Sequence, residues 1–121
     1  VSSSERTIAV VDDDIRLLES LENLLESAGY AVRTFSSPKA LLAAGLVDVD
    51  CLITDIGMAE MDGFELRDAV RTMRPDLPIF MVTGRHEIAD RLAKSPLAAA
   101  LFRKPIDGQL LLAAVDEAFA D

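Results

Sequence analysis

An α/β fold, a parallel sheet covered by helices on both faces, follows from two regularities of this chain. Five short apolar runs alternate with five longer segments of helical spacing. The runs are continuous rather than alternately apolar and polar, as in strands buried on both faces. A third observation points to where chemistry would gather: four of the runs end in Asp12-Asp13, Asp55, Thr83 and Lys104. Right-handed crossovers bring the carboxyl ends of parallel strands to one rim. In open α/β sheets that rim holds the ligands.

Taken in order, Ile8 to Val11 reads as a central strand running into the acidic turn Asp12-Asp13-Asp14. Ile15, Leu18, Leu21, Leu25 and Ala28 then form one helical stripe, thickened by Leu17 and Leu24, and Gly29 stops it. Ala31 to Phe35 is a short second strand. Ser36-Ser37-Pro38 gives a cap with proline at the first helical position, ahead of Leu41, Leu42 and Leu46. The third strand, Cys51 to Ile53, stops at Asp55 and enters a loop that closes on Asp62-Gly63. Asp62 is expected to cap a helix over Gly63 to Met73, with Leu66, Ala69, Val70 and Met73 on its apolar face and Pro75 beyond its end. Pro78 to Val82 is the fourth strand. A weaker helix over 87–94 is expected next, then a strand over 98–102 ending at Lys104-Pro105. Asp107 caps a last helix carrying Leu110, Leu111, Ala114, Val115 and Ala118.

The chain has 121 residues, half of them apolar and few aromatic, which suits one domain over 1–121 with a Leu/Ile/Val/Ala core. The formal charge of −9 repels a nucleic-acid backbone, so direct nucleic-acid binding is not expected. No apolar run approaches the roughly 20 residues of a membrane helix, and Val1 to Ser4 lacks the core of a signal peptide. The single cysteine, Cys51, sits in an apolar run as a small core residue. That usage fits a reducing cytoplasm.

Convergence of Asp12, Asp13 and Asp55 would set three carboxylates side by side, a repulsion that a divalent cation relieves. Oxygen-only donors favour Mg²⁺ over zinc. Asp13 and Asp55 are the expected direct ligands, with Asp12 acting through water and the Gly57 carbonyl completing the set. Asp55 can then act as a nucleophile towards phosphorus. Lys104 offers a point charge to one phosphoryl oxygen and Thr83 a hydroxyl to another. Asp14 is read as a solvated first-turn acid, and His86 as a solvated loop residue.

At this point the chain resembles the receiver domain of two-component response regulators, from about Thr7 to Phe119. The matching marks are Val10-Val11-Asp12-Asp13, Asp55 followed by Met58 and Met61-Asp62-Gly63, Thr83-Gly84, and Lys104-Pro105. The resemblance implies a flavodoxin-like (βα)5 sandwich with strand order 2-1-3-4-5. It also implies phosphorylation of Asp55 by a histidine kinase or phosphotransfer protein, with Asp12 and Asp13 as the acidic pair. Thr83 would be the switch hydroxyl, Lys104 the family's lysine and Pro105 a cis proline. The output surface, and any homodimer or effector contact, would use the helix over 87–94, the fifth strand and the last helix, where Leu110-Leu111-Leu112 is wider than one face.

Three departures from the family pattern stand out. Ala59 occupies the usual loop proline, and Leu101 occupies the position usually held by Tyr or Phe, with Phe102 one step along and so on the opposite face. The segment from Thr83 to Lys104 is short. Gly57 brings no side chain to guide attacking water, whereas Arg85 is placed to shield a phosphoryl group. Two other functions share some of these residues. A receiver fold acting only as an interaction module would keep the architecture without phosphorylation. A haloacid-dehalogenase phosphohydrolase would use Asp12-Asp13-Asp14 as its Asp-x-Asp, but Arg16 and Pro105-Ile106 stand where that family needs other residues.

Overall fold

The computed structural model describes residues 6–57, 61–85, 89 and 100–120. In chain order these form β1 (Thr7–Val11), α1 (Ile15–Ser27), β2 (Ala31–Phe35), α2 (Pro38–Ala44), β3 (Cys51–Asp55), α3 (Gly63–Met73), β4 (Ile79–Thr83), β5 (Leu101–Arg103) and α4 (Gly108–Phe119). The five strands make one parallel sheet in the order β2-β1-β3-β4-β5. Loop positions Met58 and Ala59, His86, and the first part of the strand expected over 98–102 lie outside the described residues. So does the helix expected over 87–94, apart from Ala89, which is buried and donates its N–H to the Arg85 carbonyl at 3.1 Å.

Successive strand side chains point to opposite faces, and the core divides accordingly. Ile8, Val10, Cys51, Ile53, Phe80 and Val82 pack against Leu18, Leu21 and Leu25 of α1 and Leu111 and Val115 of α4. Ala9, Val11, Leu52 and Ile79 pack against Leu41 of α2 and Leu66 and Val70 of α3. β3 and β4 are buried throughout, whereas the edge strands β2 and β5 are half-exposed. The continuous apolar runs have this cause.

Each helix start carries its own chemistry. Asp14 caps α1, accepting from Arg16 and Leu17 N–H. Ser37 caps α2 ahead of Pro38. Asp62 and Glu65 form a reciprocal capping box on α3, and Asp107 caps α4 through Gln109 and Leu110 N–H. Asp14 is therefore a cap and not a free first-turn acid. The turn after α1 uses Gly29 at φ 97°, a backbone conformation that glycine adopts without penalty.

Several expected positions shift. Ile15, placed on the buried stripe of α1, is 64 % exposed, and Met73 and Leu110 also face solvent. Among the described residues the fifth strand is Leu101–Arg103, which runs one residue past the expected end at 102. Two tethers join distant segments. Arg74, at the end of α3, donates to the Leu46 and Val49 carbonyls at 2.7 and 3.2 Å, pinning the loop before β3. Tyr30 donates its hydroxyl to Asp116 and packs on Phe119, whose ring also lies 4.6 Å from the Arg6 guanidinium, so the end of α4 is held to the start of the sheet.

Candidate functional site

Strand register assembles the rim. Val11 pairs with Thr54, so the next residues, Asp12 and Asp55, lie side by side. Asp55 pairs with Val82 and Thr83 with Arg103, which brings Thr83 and then Lys104 to the same edge. The Lys104 N–H donates to the Thr83 carbonyl at 2.8 Å, and the Lys104-Pro105 peptide is cis.

One carboxylate oxygen from each of Asp12, Asp13 and Asp55 lies within 4.8 Å of the other two, with Asp12 and Asp55 buried and Asp13 exposed. The Lys104 ammonium stands 3.1 Å from Asp12 Oδ2 and 3.6 Å from Asp55 Oδ2. Asp12 Oδ1 accepts from Asp14 N–H at 2.9 Å, and Asp55 Oδ1 accepts from Gly57 N–H at 3.4 Å. Thr83 is 2 % exposed, and its Oγ1 accepts from Arg85 N–H at 3.0 Å. Its own hydroxyl proton is not consumed by that bond.

Burial raises the Asp12 carboxyl above the usual aspartate range, and the neighbouring charge of Asp55 adds to it. The Asp14 N–H and Lys104 pull in the other direction without cancelling it. For Lys104, burial works against the ammonium, but the hydrogen bond and charge of Asp12 together with Asp55 outweigh it, so its pKa lies above the ordinary lysine value. Three carboxylates gather beside the Lys104 ammonium, and an oxygen-liganded divalent cation is the chemistry their donors fit. Cys51 is inert by contrast, its buried thiol pushed up to about 12.

The carboxyl end of β3 is held in place by backbone contacts. Ile56 N–H donates to the Val82 carbonyl and Gly63 N–H to the Ile56 carbonyl, both at 2.9 Å. A Cβ at Gly63 would lie 2.6 Å from the Asp55 carbonyl oxygen and 2.8 Å from Ile56 Cα, so only glycine lets α3 start against the end of β3. Sequence reading found Asp62-Gly63 as a turn and cap but not this approach, whose signal was glycine at a helical position that favours alanine. Gly57 and Arg85 are exposed on the solvent side, where a Cβ at Gly57 would lie 3.8 Å from Arg85 Nε.

Leu101 is half-buried and pairs with Met81. Phe102 instead packs edge-on against Phe80, ring centroids 6.0 Å apart, within the layer under α1 and α4.

The family model described as the response regulator receiver domain matches residues 8–116. Among curated proteins, the chain is 36 % identical to the transcriptional regulatory protein FixJ of Azorhizobium caulinodans, over 89 % of this chain and 52 % of that protein. It is 34 % identical to the transcriptional regulatory protein GlrR of Escherichia coli, over 92 % of this chain and 26 % of that protein. The chain thus spans a quarter to a half of these relatives. Among solved structures, a CheY-like receiver domain from Methanospirillum hungatei superposes with a TM-score of 0.82 at 29 % identity, covering 94 % of this chain and 93 % of that one.

Proposed function

The chain belongs to the response regulator receiver domain family, and on that premise we propose that it accepts a phosphoryl group on Asp55 from the phosphohistidine of a histidine kinase or phosphotransfer protein, in a Mg²⁺-dependent reaction, and thereby switches an output surface. Residues 1–121 act in this reading as one cytoplasmic signalling module rather than an enzyme with turnover. No helix of the described residues is long and apolar enough to cross a membrane.

One observation carries the reading: a single ammonium, Lys104, contacts both Asp12 and Asp55 inside a three-carboxylate cluster. A carboxylate oxygen of Asp55 attacks phosphorus, the P–O bond forms, and the P–N bond to the donor imidazole breaks with its electron pair leaving on nitrogen. Lys104 lies where it can shift from the carboxylates to a phosphoryl oxygen, and the Thr83 hydroxyl donates to another. Asp12, Asp13 and Asp55, with the Gly57 carbonyl, are the residues that would hold Mg²⁺. When bound, the ion screens the carboxylates from one another and neutralises charge on the transferring group.

The Asp-x-Asp phosphohydrolase reading loses its acid, because Asp14 is engaged in capping α1 and Asp12 is paired with Lys104. Incubation with acetyl phosphate and Mg²⁺ tests the proposal by intact mass. The expected result is uptake of one phosphoryl group, abolished by chelating the metal and by Asp55→Asn. No uptake, or uptake that survives Asp55→Asn, counts against the proposal, whereas partner binding indifferent to both treatments supports the interaction-module reading instead.

A further inference from the structure

The two ends of α4 are held in different ways. Its far end is clasped. Tyr30, in the turn between α1 and β2, donates its hydroxyl to Asp116, and its ring centroid lies 5.6 Å from that of Phe119. The Arg6 guanidinium stands 4.6 Å from the same Phe119 ring, while the Arg6 carbonyl accepts from Ala31 N–H at 2.9 Å, which ties the clasp into the start of the sheet. Burial and the Asp116 carboxylate push the Tyr30 hydroxyl up to about 12, so it remains a donor throughout the neutral range.

The near end is joined through Pro105-Ile106-Asp107 to Lys104, and it has room to move. Gly108 brings no side chain against α1, where a Cβ would stand 3.2 and 3.4 Å from Leu24. A groove of about 430 Å³ opens there, lined by Leu17, Leu21, Leu24, Lys104 and Ile106 among others. Leu110 is exposed, and the buried residues of the helix are Leu111 and Val115. From Gly108 to Phe119 the helix is about 16 Å long. Over that length a tilt of about 6° around the clasped end moves the start by about 1.7 Å, within the roughly 1–2 Å of helix shifts that molecular switches use.

We propose that Tyr30, Asp116, Phe119 and Arg6 form the fulcrum of a lever: α4 pivots about its clasped end, so that the move of Lys104 onto a phosphoryl oxygen reaches the surface around Leu110 while the last turn stays fixed. The inference rests on the phosphoacceptor reading and adds to it the route from the pocket to the output surface. The clasp lies at the opposite end of α4 from Lys104, so it can be altered without touching the phosphoryl site.

Spin labels on introduced cysteines read the lever, since the native Cys51 is buried. Glu19→Cys with Gln109→Cys reports the start of α4 against α1, and Glu26→Cys with Glu117→Cys reports its end; all four positions are exposed. Distances are measured by double electron–electron resonance with and without acetyl phosphate and Mg²⁺, in the otherwise unaltered chain and in Tyr30→Phe and Phe119→Leu. Tyr30→Phe removes the hydroxyl and keeps the ring, and Phe119→Leu removes the ring from both Tyr30 and Arg6. In the unaltered chain the near pair is expected to shift by about 1–2 Å on phosphorylation while the far pair holds its distance. In either clasp variant the far pair shifts or broadens and the near-pair shift shrinks, with phosphate uptake unchanged. Equal shifts of both pairs in the unaltered chain mean that α4 has no fulcrum, and overturn the proposal. A near pair that does not move overturns it, as does a far pair that stays fixed in both clasp variants. Failure of the chain to take up phosphate defeats the phosphoacceptor reading and this inference with it, whereas uptake with both pairs still defeats this inference alone.

Discussion

Gly63→Ala separates two physical effects of opposite sign at the carboxyl end of β3. Helix propensity favours alanine over glycine by at most about 1 kcal/mol, and less in a first turn. The structure argues the other way. The added Cβ would stand 2.6 Å from the Asp55 carbonyl oxygen and 2.8 Å from Ile56 Cα, and backbone atoms cannot swing aside as a side-chain tip can. Overpacking of this kind costs about 1–3 kcal/mol. Displacing α3 also stretches the 2.9 Å bond from Gly63 N–H to the Ile56 carbonyl, worth about 0.5–1.5 kcal/mol. The net expectation is a loss of about 1–4 kcal/mol, with Tm falling by roughly 3–5 °C per kcal/mol for a domain of this size. Urea unfolding should show a lower midpoint at unchanged slope. Phosphorylation of Asp55 should slow, because the displaced atoms are its own backbone. Gly108→Ala is the control: its Cβ would meet only the Leu24 side chain, at 3.2 and 3.4 Å, which can adjust, so stability should change little. A Gly63→Ala chain as stable as wild type or more so would show that the close approach does not constrain the strand end, and the reasoning would fail.

Lys104→Met removes the cation competing for Asp12 and Asp55, so Mg²⁺ should bind roughly 5- to 30-fold more tightly, about 1–2 kcal/mol after screening. Phosphorylation should nevertheless be lost; isothermal titration and intact mass check the two halves, and weaker Mg²⁺ binding contradicts the charge argument. Asp12 has a raised pKa in the folded chain, so its contribution to stability is fully present below the ordinary aspartate pKa and is lost as pH rises through the folded value. Metal-free Asp12→Asn should therefore be more stable than wild type at neutral pH, with the advantage vanishing in acid; thermal melts in chelator across pH decide it. Lys104, also raised, contributes stability below the ordinary lysine pKa that is lost as pH climbs through its folded value, and an alkaline melt series should show that loss in wild type but not in Lys104→Met. Asp62→Ala breaks the capping box and should cost about 0.5–2 kcal/mol. Phosphate uptake per folded molecule should be unaffected, since Asp62 is a cap and not a ligand.

Most of the architecture could be read from residues whose physics is local. Asp62, Ser37-Pro38 and Asp107 cap helices because their side chains reach the next N–H groups, and Gly29 ends α1 by its own backbone freedom. The rim was legible for a related reason. In a parallel sheet each strand's last residue has a known place, so the order of the apolar runs alone brings Asp12, Asp55, Thr83 and Lys104 to one rim. What sequence reading missed depends on neighbours distant in the chain. Ile15 has the periodicity of the α1 stripe but precedes the turn that packs on the sheet, and it stays exposed. Arg74 looks like a surface cation, yet two loop carbonyls brought beside it by the fold make it a tether. Tyr30 and Asp116 are 86 positions apart and meet only because α1 and α4 cover the same face. The cap at Asp14 was readable in principle, from an acid immediately before a helical stripe. Its place in a run of three acids favours a reading by charge instead.

Phosphorylating the chain with acetyl phosphate and Mg²⁺, reducing the product with borohydride and sequencing its peptides by mass spectrometry tests the central claim most directly. Reduction of an aspartyl phosphate leaves homoserine at the modified position. The account predicts homoserine at position 55 and nowhere else; homoserine at position 12 or 13, or none in a chain that has taken up phosphate, would contradict it.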